Sequence, residues 1–420
     1  MKQFNIFSSI TGNIIEWYDF TLFVSLAPVI ADIFFPYKEK NMALLSTFFI
    51  FAMGFLARPV GAVLFGQLGD RVGRVKTLQI TLLLLSLSTL CIAFLPLYKT
   101  WGIEAPLFLM MLRIIQGICM GGGFTGIMIY LTEKAPSDHR AWISCIANNS
   151  SNVGVLLAMG TSALFSNLIS SSDFHNYGWR FPFLIGGIVG LVGFLFFRNI
   201  EETDVFTTLN KTSHRAGRAS LLAILKHDKK KMMEVCLLLL MAAAANYTLI
   251  GYLATYLHVY LHYSLAHALH IQIFFITITF ILIPLFSKLS DRYGRKVTLS
   301  IAAFGYIICS VPCFYYVTTS LAWWPLLLLI IFYCFEQSTT PSAVVEMFPA
   351  QNRYTGISVG YNVTMALVGG TTPLINTWLI QKFNNPAIIA YYLIACATLS
   401  LSIILFKLPK TFGKKRDLLF

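Results

Sequence analysis

The sequence predicts an all-α membrane protein, with twelve transmembrane helices in two pseudo-symmetric six-helix halves. Three observations lead there. Of the 420 residues, 57% are hydrophobic and only 12% charged, against roughly 25% charged in a soluble chain. With a mean hydropathy of +0.71, no single core can hide that apolar surface, so lipid must be the solvent. Apolar stretches also recur at the length of a bilayer crossing, roughly 20 residues. Finally, Asp70-Arg71-Val72-Gly73-Arg74 returns as Asp291-Arg292-Tyr293-Gly294-Arg295, 221 positions later. Glu133-Lys134-Ala135-Pro136 then Arg140 returns as Glu346-Met347-Phe348-Pro349 then Arg353, 213 positions on. Two motifs repeated at half the chain length mark one bundle duplicated, the pattern of secondary transporters.

The spans are expected at 10–35, 43–69, 77–97, 105–131, 143–170, 179–198, 232–261, 266–288, 297–318, 322–347, 355–381 and 386–407. Span 1 carries Glu16 and Asp19, and span 2 carries Arg58 before Pro59. Span 4 holds Arg113 and the run Gly121-Gly122-Gly123. Span 5 has Ser144, Asn148 and Asn152 at four-residue steps, and span 10 has Glu336. The segment 199–231 is the one long polar stretch. It divides a first bundle, 1–198, from a second, 232–409, and a short basic tail follows at 410–420.

The formal charge of +13 does not mark a nucleic-acid binder. Arg58 and Arg113 lie inside spans, and Lys38, Lys40, Lys99, Arg180 and Lys382 fall on one side. The other side holds the remaining 24 of 31 Lys and Arg. This is the positive-inside asymmetry, which places both termini and the linker in the cytoplasm. Basic loops then serve topology and contact with the lipid bilayer. The N-terminus enters span 1 without a small-residue cleavage site and reads as an uncleaved signal-anchor. All eight cysteines fall within expected helices and read as apolar packing residues, with no disulfide frame or metal motif. Such a bundle with short loops fits a monomer in a bacterial inner membrane.

The repeated loop is the clearest candidate for a moving part. Its glycines permit a tight turn and close helix approach. Asp70 can cap a neighbouring helix, whose N-terminal dipole favours an anion. Arg71 and Arg74 can pair with Glu133, near Arg140. The second half can repeat this with Asp291, Arg292 and Arg295 against Glu346, near Arg353. Such pairs would hold one gate closed and release it as the halves rock. The alternative is that they only set topology and cap helices.

The loop motif, its half-length repeat and the basic linker resemble the major facilitator superfamily over essentially the whole chain. A finer match lies in Gly12-Asn13-Ile14-Ile15-Glu16-Trp17-Tyr18-Asp19-Phe20, Arg58-Pro59-Val60-Gly61, Gln116-Gly117 with Gly121-Gly122, and Gly178-Trp179-Arg180-Phe181-Pro182. These resemble the metabolite:proton symporter family, its proline/betaine transporters most of all. The resemblance implies alternating access and proton-driven import of a small carboxylated or zwitterionic solute. The energy source would be the proton gradient, with no cofactor. The family usually carries an acidic residue where this chain has Gly123, so that residue's role must move elsewhere or be lost. Some members also extend at the C-terminus beyond a tail of this length.

Charges at membrane depth are costly and face the bundle interior or a water-filled cavity. Glu16 and Asp19, three residues apart, can point the same way, and a carboxyl in a partly dry site suits reversible protonation. Asp19 is the expected proton-coupling residue, assisted by Glu16 or Glu336, unless it is locked to Arg58 or Arg113 as a structural bridge. Arg113, with Gln116 one turn on, is the candidate grip for a substrate carboxylate, since a guanidinium fork matches that geometry. Asn148 and Asn152 are expected to line the cavity, or else to hydrogen-bond between helices, with Asn246, Tyr247, Tyr361 and Asn362 as wall candidates from the second half. Arg58, before Pro59 in a glycine-rich span, is expected to be structural. Trp17, Tyr18, Tyr247 and Tyr361 could enclose an ammonium through cation–π contacts, although in a chain with 15% aromatics packing is the plainer role. His258 and His262 stand at metal-compatible spacing, but no carboxylate or cysteine completes a site.

Enzymatic function is not expected. No phosphate loop ending in Gly-Lys-Ser/Thr occurs, and no nucleophile–base constellation stands out. The rivals to import are a proton-driven efflux antiporter and an uncoupled uniporter of the same fold. Buried charges in spans 1 and 4 favour a polar solute over a greasy one.

Overall fold

A chain surrounded by lipid must satisfy its backbone hydrogen bonds internally, and every regular element is accordingly helical. The computed structural model describes residues 6–36, 40–72, 74–121, 123–136, 138–197, 229–347 and 353–408, and no strand occurs among them. The expected linker before residue 229 and the basic tail after residue 408 lie outside the described residues.

Twelve helical spans follow in order. Span 1 is Ile6–Ser25 bent by 60° into Ala27–Phe34, with Pro28 just past the break. Spans 2 and 3 are Lys40–Val72 and Arg74–Phe94. Span 4 is interrupted beside Gly121, as Glu104–Cys119 and Gly123–Lys134. Span 5 is Arg140–Leu168, and span 6 is Arg180–Phe197 after a 42° bend. In the second half, span 7 begins as Lys229–Ala245 and passes through π-helical turns at Asn246–Gly251 and Tyr256–Tyr260. Spans 8, 9 and 10 are Leu265–Tyr293, Arg295–Ser320 and Leu326–Met347. Span 11 joins Arg353–Thr364 to Thr372–Phe383 through a π-helical turn at Met365–Gly369, and span 12 is Ile389–Phe406.

Eight of these are long and apolar enough to cross a bilayer unaided, or ten when each bent pair is one span, among the described residues. The two that fall short do so for different reasons. Span 3 offers only the shorter apolar run Gln79–Phe94. Span 5 is diluted by the polar series Ser144, Asn148, Ser150, Ser151 and Asn152, all buried. A polar face of that kind must look into protein, and span 5 does so on both sides. It packs along span 1 within its own half and along spans 8 and 10 of the other half. Span 2 makes the equivalent contact with span 11. The two halves therefore meet along two pseudo-symmetric seams.

Close approach depends on glycine at a few points. A Cβ on Gly117 would collide with the Gly54 carbonyl, and one on Gly61 with the Ile118 carbonyl, so spans 2 and 4 touch backbone to backbone. Small residues are what bring helices together in lipid, where no hydrophobic effect pulls them. Gly294, between spans 8 and 9, has φ of +92°, which only glycine adopts without strain. This explains the glycine in the repeated loop.

Gly117→Ala is expected to part spans 2 and 4, at about 1–3 kcal/mol, the usual cost of overpacking. Gly160→Ala is the control, because a Cβ there meets nothing within 4 Å. Thermal unfolding in detergent should show a lower Tm for Gly117→Ala only; equal values would remove the close-contact argument.

Candidate functional site

A cavity of about 50 Å³ lies where spans 1, 4, 5, 7, 10 and 11 meet, on the seam between the halves. Its wall includes Trp17, Phe124, Asn148 and Asn152 from the first half, and Asn246, Tyr333, Gln337, Thr340 and Tyr361 from the second. The four-residue step along span 5 puts Asn148 and Asn152 on one face, one above the other. Asn148 Nδ2 donates to the Gln337 carbonyl at 2.7 Å, and Asn152 Nδ2 to Thr279 Oγ1 at 3.5 Å. Tyr333 donates to Asn246 Oδ1 at 2.7 Å. Phe124 stacks on Tyr361 with centroids 5.3 Å apart, and Trp17 meets Phe124 edge-on at 6.4 Å. The space is that of a few water molecules, so a solute can enter only when the seam widens.

Of the residues expected to hold a solute, Trp17, Asn148, Asn152, Asn246 and Tyr361 line this cavity. The others stand elsewhere. Tyr18 points into its own half, donating to the Pro182 carbonyl at 2.8 Å. Tyr247 packs edge-on against Phe55 at 5.1 Å. Asn362 ties the halves together, donating to the Gly121 carbonyl at 2.9 Å. Arg113 and Gln116 lie deep in the first half: Arg113 Nη1 is 2.7 Å from Gln116 Oε1 and 3.4 Å from Asp19 Oδ2.

Three carboxylates are buried at membrane depth, in three environments. Asp19 is held on both oxygens. Arg113 reaches Oδ2, while Gln116 Nε2 at 2.9 Å and the Thr89 hydroxyl donate to Oδ1. The Arg113 guanidinium lies 4.0 Å from the Phe23 ring centroid, so the whole pair is sealed from solvent. Glu336 has no cation in contact among the described residues. It accepts from Thr340 Oγ1 at 2.7 Å and from Gln337 Nε2 at 3.1 Å, and both of these residues line the cavity. Glu16 is buried near Arg58 with one oxygen lacking a donor.

At the end of the bundle that carries the repeated loops, the second copy of the motif builds a buried network between the halves. Asp291 accepts from the backbone N–H groups of Ala141 and Trp142, both at 3.0 Å. These are the first turn of span 5, where orphan donors and the helix dipole favour an anion. Arg295 donates to Asp291 at 2.8 Å and to Glu346 at 3.1 Å, with Arg140 4.0 Å from Glu346. Arg292 turns away, onto the Tyr293 ring. The side chains of Asp70, Arg71, Arg74, Glu133 and Arg353, the other half of this expected set, lie outside the described residues.

Sequence reasoning passed over Tyr333, Gln337 and Thr340 as cavity residues. The signal was present: Tyr333 and Gln337 are one turn apart around Glu336, at the head of the polar run Glu336-Gln337-Ser338-Thr339-Thr340 in the middle of the span.

The chain matches the Major Facilitator Superfamily over residues 10–373. It is 32% identical over 402 residues to the glycine betaine/proline/ectoine/pipecolic acid transporter of Dickeya dadantii, covering 93% of this chain and 80% of that one. To the proline/betaine transporter of Escherichia coli K12 it is 31% identical, with the same coverage. Among solved structures, a D-xylose–proton symporter superposes with a TM-score of 0.77 over 98% of both chains at 20% identity. The xylose transporter of E. coli in a partially occluded inward-open conformation gives 0.75 over 97% of this chain and 98% of that one, at 18% identity. At such identities the likeness shows the fold alone.

Cys145 is buried in the first turns of span 5, with Ser287 Oγ 3.8 Å away, and reports on this end of the seam. Asp291→Ala should cost about 1–2 kcal/mol, as for a lost N-cap. In a chain keeping Cys145 as its single cysteine, it should also speed maleimide labelling. An unchanged labelling rate would mean that Asp291 does not hold the halves together.

Proposed function

This chain belongs to the Major Facilitator Superfamily and is a membrane transporter, not an enzyme; from that premise we propose proton-coupled symport, importing a small zwitterionic or carboxylated metabolite. The observation that carries the reading is Glu336: a buried carboxylate that, among the described residues, meets no cation and bonds only to Thr340 and Gln337, which themselves line the seam cavity. An ionised carboxylate in that setting is costly, and a proton removes the charge. Proton uptake at Glu336 would change what Thr340 and Gln337 can offer a solute, so the two binding events share side chains.

Asp19 is the coupling residue of the first half. Protonating it releases Arg113, which is then the one uncompensated charge of its surroundings, and a state that re-forms the pair is favoured on the return. The relatives' names put proline and betaines first among solutes. Residues 1–198 and 232–409 form the two rocking halves. The gate at the repeated-loop end is closed by Asp291, Arg295, Glu346 and Arg140, and the repeat of the motif assigns the same task in the other half to Asp70, Arg71, Arg74, Glu133 and Arg353. The excess of Lys and Arg at that end orients it to the cytoplasm of a bacterium, with both termini inside. The chain works as a monomer, with the proton gradient as its energy source.

Uptake of labelled proline and glycine betaine into proteoliposomes tests this. An inside-alkaline gradient should drive accumulation, and Asp19→Asn or Glu336→Gln should abolish accumulation while leaving solute exchange measurable. Entry indifferent to the gradient would mean a uniporter. Accumulation driven by the opposite gradient would mean an antiporter.

A further inference from the structure

Behind the aromatic wall of the cavity lies a second set of polar groups. Glu16 and Arg58 are 8% and 1% exposed, on spans 1 and 2. Tyr247 and Tyr361 face them from spans 7 and 11. Span 4 runs beside both charges: a Cβ on Gly121 would meet the Arg58 carbonyl, and one on Gly123 the Glu16 carboxylate, while the Phe55 ring lies against both Arg58 and Tyr247. Yet Glu16 Oε1 and Arg58 Nε and Nη1 have no hydrogen-bond partner, and no ion pair joins Glu16 to Arg58 among the described residues. Both oxygens of Asp19 and of Glu336 are engaged. Glu16 is the one membrane-depth carboxylate, among the described residues, with an oxygen to spare.

We propose that Glu16 and Arg58 form the charge-recognition subsite for a zwitterion, Arg58 taking the solute's carboxylate and Glu16 its cationic nitrogen. This rests on the zwitterionic reading above and departs from the expectation that Glu16 assists proton coupling. Two buried opposite charges held apart, each with polar atoms unpartnered, are stabilised by a ligand that carries the opposite charge to each. The guanidinium fork matches a carboxylate. Trp17 and Tyr361, whose rings wall the approach, suit a quaternary or secondary ammonium. Gly123 completes the arrangement: Glu16 Oε2 lies 2.8 Å from where a Cβ at that position would stand. A side chain there would press on the tip of Glu16 and shift its carboxylate, so the glycine leaves the room in which Glu16 stands.

The test compares glycine betaine with tert-butylacetate, which has the same carboxylate and shape but a carbon in place of the cationic nitrogen. Each competes against labelled proline uptake by the full chain in liposomes. Wild type should prefer betaine by about tenfold or more, about 1.4 kcal/mol. Glu16→Gln should bring that preference near unity, while Arg58→Lys should weaken both competitors alike. Gly123→Ala keeps both charges but pushes on Glu16, and should narrow the preference part-way; it carries the test if Glu16→Gln does not elute as a folded species. Full preference retained in either Glu16→Gln or Gly123→Ala overturns the subsite and leaves zwitterion transport standing. A wild type that takes up neither proline nor betaine overturns both.

Discussion

A charge inside a bilayer must be compensated at close range, and the arrangement of this protein follows from how each charge meets that demand. Asp19 is met by Arg113, Gln116 and Thr89, in a setting with no access to water. Glu336 is met only by dipoles, from Thr340 and Gln337. Glu16 and Arg58 are met incompletely. These three levels of compensation run from a carboxylate paired with a cation, through one met by hydroxyl and amide dipoles, to a carboxylate and a guanidinium with polar atoms unpartnered. The cost of an unpaired buried charge is several kcal/mol, and the proposed coupling of ligand occupancy to conformation rests on it.

The same demand is answered at the repeated-loop end by Asp291. It serves at once as the cap of span 5 and the partner of Arg295. A side chain of span 8 thereby closes the N-terminus of a helix in the opposite half. The contact is short, buried and built from fixed dipoles, so it breaks as a unit. Backbone contacts through Gly54, Gly61 and Gly117 make spans 2 and 4 behave as one body. Rigid bodies joined by polar contacts are what the proposed rocking of the halves requires.

Legibility varied with the range of the interaction. The bundle, its duplication and the span order could be read because hydropathy and the loop motifs are local properties of the chain. Span 5 was recognisable as inward-facing from Asn148 and Asn152 alone, since lipid tolerates no polar stripe. Which tyrosine meets the cavity was not legible. Tyr18 and Tyr361 look alike in sequence, yet one is buried against Pro182 and the other lies on the seam. Arg113 was read as a grip for solute or, alternatively, as a bridge to span 1; the structure sets it against Asp19 and away from the cavity wall.

By itself, the sequence determined that this chain is a duplicated helical bundle for lipid, with charges buried in spans 1, 2, 4 and 10 and a loop repeated in both halves. Composition and periodicity suffice for that, because solvent choice and helix length are set residue by residue. The tertiary structure alone decided how those charges combine. It paired Asp19 with Arg113, left Glu336 to hydroxyl and amide donors, and set Glu16 against the bare backbone of Gly123. Rotation of each helix about its own axis makes those choices. It is governed by packing against several neighbouring helices, and no single span encodes it.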